Sequence, residues 1–229
     1  MNEERRPAPR PRDAATIILS RQSRHGPEVL MGRRPAKHVF MAGVYVFPGG
    51  RVDRADARAR TADELHPKIA ARLGKSCTPV RARALGIAAI RELYEEAGLM
   101  LGTQAEGSLS PGGPSPTWQR AFAEAGIAPS LKPMEYIARA ITPPGYPRRF
   151  HARFFLADAR HAHGTLSGDG ELSDLCWVSF ARAEALPTAN ITRAILAEVK
   201  RRLQDRNRLG RPIPVFKWRG GNELVVGYD

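Results

Sequence analysis

The stretch Ala88-Ala89-Ile90-Arg91-Glu92-Leu93-Tyr94-Glu95-Glu96-Ala97-Gly98-Leu99 decides how this chain is read. Its spacing predicts a helix over residues 82–97, closed by Gly98, a residue that suits the position just past a helix end. At about 100° per residue, Glu92, Glu95 and Glu96 fall within an arc of about 100°. Ile87, Ile90, Leu93, Tyr94 and Ala97 occupy the opposite side. One face can pack on a sheet while the other presents three carboxylates together. Arg91 stands one turn before Glu95 and is placed to orient and partly neutralise it. Concentrated negative charge repels itself, and a divalent cation is its natural compensator. Oxygen-only ligands favour magnesium or manganese over zinc. Glutamate-rich faces on solvated helices are common, however, and most bind nothing. The upstream sequence tips the balance.

There, Phe47-Pro48-Gly49-Gly50-Arg51-Val52-Asp53 reads as a strand, Val44–Phe47, running into a tight glycine-permitted turn and then an acidic residue. Further out, residues 14–20 and 28–33 are expected strands, joined by a turn at His25-Gly26-Pro27. Leu65, Ile69 and Leu73 give helical spacing over residues 62–73, with Gly74 as the cap. The run GTQAEGSLSPGGPSP is a loop by composition. Ser115-Pro116 should start a helix that ends at Gly126. Strands are expected at 134–142, 150–157 and 174–179, a helix at about 191–203, and a last strand pair in VFKW and ELVVGY. Helices and strands mix without βαβ alternation, so the fold class is α+β with a mixed sheet.

Bulk properties narrow the function classes. The chain has 229 residues, 42% hydrophobic and 26% charged, as in ordinary globular proteins. No stretch approaches the roughly 18 apolar residues of a membrane span, so no membrane partner is expected. The N-terminus, MNEERRPAPRPRD, lacks the apolar core of a secretory signal, and residues 1–12 read as a flexible basic tail. Cys77 and Cys176 form no CxxC pattern, which makes a reducing cytoplasm the expected location. A net charge of +13 favours an anionic partner, but the basic residues are spread along the chain. No RNA-recognition aromatic pattern, zinc finger or basic heptad helix is present, so nucleic acid is a secondary expectation.

Taken together, FPGG and the Arg91–Leu99 run resemble the Nudix hydrolases, whose box reads G-x5-E-x7-R-E-U-x-E-E-x-G-U, with U aliphatic. The right half is complete in Arg91, Glu92, Leu93, Glu95, Glu96, Gly98 and Leu99. Counting forward from Gly50 brings the first acidic position to Asp56, while counting back from Arg91 lands on Arg83. Gly50 and Arg91 stand 41 positions apart, 27 more than an uninterrupted box. The resemblance thus implies a Nudix-like α/β/α sandwich over residues 13–229, one domain with an insertion at about 57–82.

The resemblance also implies roles. Glu95 and Glu96 would hold Mg2+ or Mn2+, helped by Glu92 and the Gly49 carbonyl. Arg91 would orient the glutamates. Glu92 or Glu171 would be the general base, the latter because Gly170–Val178 resembles an acidic loop-to-strand element of many relatives. The substrate would be a small nucleotide with a diphosphate linkage. Arg34, Gly43 and FPGG match the coenzyme A diphosphatase signature L-L-T-x-R-[SA]-x3-R-x3-G-x3-F-P-G-G, with Pro35 and Val39 as departures. Coenzyme A or an acyl derivative is therefore the leading substrate, and ADP-ribose, dinucleoside polyphosphates and modified nucleoside triphosphates are alternatives. Arg34, Arg148, Arg149 and Phe150 are the candidate substrate contacts. A homodimer is compatible with this reading, as is a Nudix-fold module that binds nucleotide or RNA without cutting it.

Overall fold

A long strand, β1 (Arg12–Ser23), is apolar on both sides, and the molecule is layered about it. Alternate residues of a strand point to opposite faces. Ala15, Ile17 and Leu19 join one buried cluster, and Ile18 joins a second on the other side. The computed structural model describes residues 9–35, 43–105, 116–168, 170–219 and 223–229. The expectations for most of the N-terminal tail, for the loop around 106–115 with its Ser115 cap, and for position 39 lie outside them.

The remaining strands are β2 (Gly26–Arg33), β3 (Tyr45–Val46), β4 (Gly49–Arg51), β5 (Met100–Gln104) and β6 (Ile127–Pro129). After these come β7 (Glu135–Ile141), β8 (Phe150–Asp158), β9 (Ala162–His163), β10 (Ser173–Ser179), β11 (Pro214–Arg219) and β12 (Glu223–Tyr228). The helices are α1 (Pro67–Gly74), α2 (Pro79–Ala97), α3 (Thr117–Glu124), α4 (Phe180–Ala185) and α5 (Asn190–Gln204). The main sheet runs β10-β2-β1-β8-β7-β11-β12, with β3 beside β2 and β4 beside β1. It is mixed: β1 lies parallel to β8 and β7 parallel to β11, and the other pairs are antiparallel. Residues of α1, α2 and α3 bury against one face, those of α4 and α5 against the other. This is the expected α/β/α sandwich. No helix among the described residues is long and apolar enough to cross a membrane.

The differences from the sequence reading have local causes. Pro48-Gly49-Gly50 does not form the expected turn. Gly49–Arg51 is a strand in register with Ala14–Thr16, and neither glycine takes a positive φ. α1 begins only at Pro67, where the His66 side chain accepts the Lys68 N–H, and Gly74 is its last residue rather than its cap. α2 begins earlier than expected, because Thr78 caps it and Pro79 fits its first turn. Three short strands went unread, β5, β6 and β9, which form a small second sheet in the order β6-β5-β9. The helix α4 also went unread. The terminal pair β11–β12 is present, joined antiparallel.

Where β1, β8 and β7 lie beside the N-terminal end of α2, His151 lies between two guanidinium groups. Arg139 Nη1 is 3.1 Å from His151 Nε2, and Arg153 Nη1 donates to the His151 carbonyl at 2.9 Å. Burial, then the charges of Arg153 and Arg139, lower the imidazole pKa to about 4, against the opposing pull of Asp13 and Asp229. The unfolded chain binds this proton near pH 6.5 and the folded chain only near 4. Stability from His151 is therefore full above about pH 6.5 and is lost as pH falls toward 4. His151→Gln keeps an acceptor but no titrating ring. We expect the melting temperature of the wild type to fall more between pH 7 and pH 5 than that of the variant, as read by calorimetry in parallel buffers.

Candidate functional site

The C-terminal half of α2 lies against β4, and β4 fits between α2 and β1 through two residues without side chains. A Cβ on Gly50 would sit 2.5 Å from the Glu92 carboxylate, and one on Gly49 would sit 2.6 Å from the Ala15 carbonyl. Close approach, not unusual backbone, is what these glycines supply. Gly98 is different: it caps α2 at φ 70°, in the left-handed region, and its N–H donates to the Tyr94 carbonyl.

Arg91 is buried between this helix face and the chain beyond β4. Its Nε and Nη2 donate to the two Asp56 oxygens at 2.9 and 3.1 Å. Nη2 also donates to the Arg51 carbonyl at 2.9 Å, and Nη1 to Glu92 and Glu95 at 2.7 and 2.8 Å. Asp56 is almost fully buried and accepts in addition the Asp53 N–H at 2.7 Å. Burial opposes the Arg91 charge, but the Asp56 hydrogen bonds and the nearby charges of Glu92 and Asp56 hold its pKa above the usual arginine value. One guanidinium thus joins the turn after β4 to the carboxylates of α2. That settles the position of Asp56, which counting alone left open.

The carboxylates differ in environment. Glu96 is 5% exposed and accepts the Gly49 N–H at 2.7 Å. Burial, then the charges of Glu92 and Glu171, raise its pKa to about 8, although the Gly49 N–H and the Arg34 charge pull it down. Glu92 is raised to about 7 by burial and by Glu95 and Glu171, despite Arg91. The Glu95 side chain is more open, at 39% exposure. The unfolded chain sheds the Glu92 and Glu96 protons first. Stability therefore falls as pH rises from the ordinary glutamate range through about 8, unless a cation offsets the charge.

Glu171 arrives from a separate loop fastened to the end of α2. The Ser167 N–H donates to the Ala97 carbonyl at 3.0 Å, and a Cβ on Gly168 would meet the Glu96 carbonyl at 2.6 Å. Leu172 is buried beside Gly32 and anchors the loop at its other end. The result is a polar cavity of about 280 Å³. Glu92, Glu95, Glu96 and Glu171 line it, together with Gly49, Gly50, Arg91, Arg34 and Arg51.

The structure therefore brings together Arg34, Gly49, Arg91, Glu92, Glu95, Glu96 and Glu171 from the sequence reading. It does not bring Arg148, Arg149 or Phe150 to this cavity. The Arg149 side chain donates to the Thr142 and Pro9 carbonyls, and Phe150 is held beside Arg12 at the start of β8. The basic-aromatic run marks a strand entry. Arg51 went unnamed as a cavity residue, although its place directly after the two glycines was the available signal.

No family profile matches the chain. A Caenorhabditis elegans protein provisionally named nudix hydrolase 7 is 30% identical over 179 residues, 73% of this chain. The chain spans about half the length of that relative, 51%. Among solved structures, a NUDIX hydrolase from Alicyclobacillus acidocaldarius matches with a TM-score of 0.62 and 27% identity. That match covers 82% of this chain and 90% of the other. This chain has the Nudix fold and is similar in sequence to Nudix hydrolases. The NUDIX domain of Shewanella oneidensis NrtR, complexed with ADP ribose, shares the fold at a TM-score of 0.50 and 14% identity, over 89% of this chain and 99% of that one.

Nudix hydrolases generally use a divalent metal, and the donors present suit one. They are all oxygens, on four glutamates and a strand backbone, the set a hard cation prefers. Among the described residues no three acidic, histidine or cysteine side chains already converge as a ligand cage. Glu95 is drawn toward Arg91 and Glu96 toward the Gly49 N–H.

Removing Asp56 leaves Arg91 with a buried, half-satisfied charge. Asp56→Ala is expected to cost about 3 kcal/mol of folding stability, the lower end for breaking a buried pair, because Glu92 and Glu95 remain. Urea unfolding at pH 7 reads this directly, and a loss under about 1 kcal/mol would show the pair to be dispensable.

Proposed function

We propose that this chain is a metal-dependent pyrophosphohydrolase that cuts the diphosphate of a nucleoside diphosphate joined to another moiety, with coenzyme A or acyl-coenzyme A as the leading substrate. The observation that carries the reading is the cavity itself, where four glutamates share one space with the Arg34 guanidinium. A pure binding module has no use for four carboxylates turned toward an anionic ligand.

A diphosphate resists water because its oxygens are negative and repel a nucleophile, so catalysis consists of charge neutralisation and in-line positioning. Glu95 and Glu96, with Glu92 and the Gly49 carbonyl, would hold Mg2+ or Mn2+. Such an ion supplies Lewis-acid stabilisation of the phosphoryl oxygens and a more acidic bound water. Arg91 keeps Glu92 and Glu95 in place, as partners behind metal ligands do. Glu92 or Glu171 takes the proton of the attacking water.

Arg34 is the proposed grip on the diphosphate. Its Nε is buried without a hydrogen-bond partner among the described residues, a donor that an anionic ligand would satisfy. Its backbone pairs with the Gly43–Val44 segment, Gly43 N–H to the Arg34 carbonyl at 2.9 Å and Arg34 N–H to the Val44 carbonyl at 3.0 Å. Arg34 and Gly43, which match the coenzyme A signature at its spacing, are thus paired through their backbones. The match of Arg34, Gly43 and the FPGG run to that signature is the ground for placing coenzyme A first.

The test is product release from a panel of coenzyme A, acetyl-coenzyme A, ADP-ribose and dinucleoside polyphosphates with Mg2+ or Mn2+, comparing the wild type with Glu95→Gln. A phosphopantetheine product from coenzyme A, reduced to background in Glu95→Gln, is the expected outcome. Turnover of another compound, equally lost, keeps the site and discards the substrate. No turnover, with ligand binding unchanged in the variant, overturns the hydrolase reading in favour of a binding module.

A further inference from the structure

The residues just beyond Asp56 contribute nothing to the cavity lining, yet one side chain grips them. Arg83 stands on α2 eight residues before Arg91. Its Nε donates to both Glu64 carboxylate oxygens at 2.8 and 3.1 Å. Nη1 reaches the Ala57 carbonyl at 3.4 Å, and Nη2 donates to the Ala59 carbonyl and Thr61 Oγ1, both at 2.9 Å. The two carbonyls lie one and three residues past the carboxylate that holds Arg91. The Ala59 N–H closes the same turn onto the Asp56 carbonyl at 3.3 Å.

We propose that Arg83 is a positioning residue for the glutamate site. It clamps residues 57–61 so that Asp56 presents both oxygens to Arg91, which in turn sets Glu92 and Glu95. The reaction assigned to the site rests on the function proposed above; the relay rests on the contacts themselves. A guanidinium suits the task because its planar fork of donors can hold several carbonyls of an irregular segment at once. The Glu64 side chain is 63% exposed, so that ion pair adds little by itself. The geometry resides in the three contacts to Ala57, Ala59 and Thr61.

The far end of the segment has its own anchor. Asp63 accepts the Ser130 hydroxyl at 2.6 Å and the Leu131 and Lys132 N–H groups at 2.7 and 2.8 Å, and the Ala62 N–H donates to the Pro129 carbonyl at 2.8 Å. Loss of Arg83 therefore loosens the Asp56 side of the segment and leaves α1 docked.

Calorimetric titration with Mn2+ alone, on the full chain without substrate, tests the relay. Arg83→Met is expected to weaken Mn2+ binding about tenfold, the lower range for groups that orient metal ligands. Backbone hydrogen exchange over residues 53–61 should quicken while α1 keeps its protection. Arg83→Lys should not rescue binding, since one ammonium cannot span the three acceptors. Arg83→Met combined with Asp56→Asn should bind Mn2+ no more weakly than Asp56→Asn alone, as two links of one chain require. Additive losses, or a lower melting temperature with unchanged Mn2+ affinity, would overturn the proposal. If Arg83→Met does not fold, Thr61→Val removes one contact and carries the same cycle. Glu95→Gln separates the two readings: loss of Mn2+ there with none in Arg83→Met sinks the relay alone, and no loss in either sinks the metal site.

Discussion

The guanidinium of Arg91 is the constraint on which the site depends. Three nitrogens serve five oxygens on two separate pieces of chain: Asp56 and the Arg51 carbonyl on one side, Glu92 and Glu95 on the other. Without it, the turn after β4 and the acidic face of α2 would repel each other as like charges in a partly dry space. With it, the negative side chains are held in fixed positions and remain available to a ligand. The arginine cannot leave its role by losing a proton, since its surroundings favour the charged form.

Sheet and helix converge on the same place for a packing reason. β1 is buried on both faces, so it runs through the middle of the sandwich, and β4 pairs with its first half and lies against helix α2. Gly49 lets β4 lie close to β1 and Gly50 lets it lie close to Glu92, and the part-buried N–H of Gly49 donates to Glu96. The backbone of a short strand and the side chain of a helix thereby complete each other's hydrogen bonding. A buried carboxylate, costly alone, gains a donor from this contact.

What the sequence made legible follows from which signals are local. The 3.6-residue period of α2 and its Gly98 end could be read directly, and so could the strand pairs at 12–33 and 214–228, because propensity and pattern agree there. β4 was misread as a turn because Pro-Gly-Gly is ordinary turn vocabulary, while its actual use is close approach to Glu92, a contact 42 residues away. β5, β6 and β9 are two to five residues long and exist only through pairing with one another, so no window of sequence announces them. The glutamates and Arg34, singled out through motif spacing and resemblance, line one cavity. Asp56 and Arg83 appeared as two conflicting answers to one count, and the structure gives both a place: Asp56 pairs with Arg91, and Arg83 holds the segment between. Arg148 to Phe150, singled out for charge beside an aromatic ring, stand at a strand entry and do not line the cavity.

The ties around residues 57–64 also bear on how this region can change over time. Asp56 is pinned by Arg91, and Asp63 is pinned to the connection between β6 and β7. The chain on either side of these knots is mechanically separated from the carboxylates. Closing a longer loop costs entropy only as the logarithm of its length, so the turn between α1 and α2 can lengthen with little effect on the glutamates, while α1 keeps Ile69 and Leu73 in the core. That makes it a natural ground for evolutionary drift, where new surface can be acquired without disturbing the chemistry a helix away.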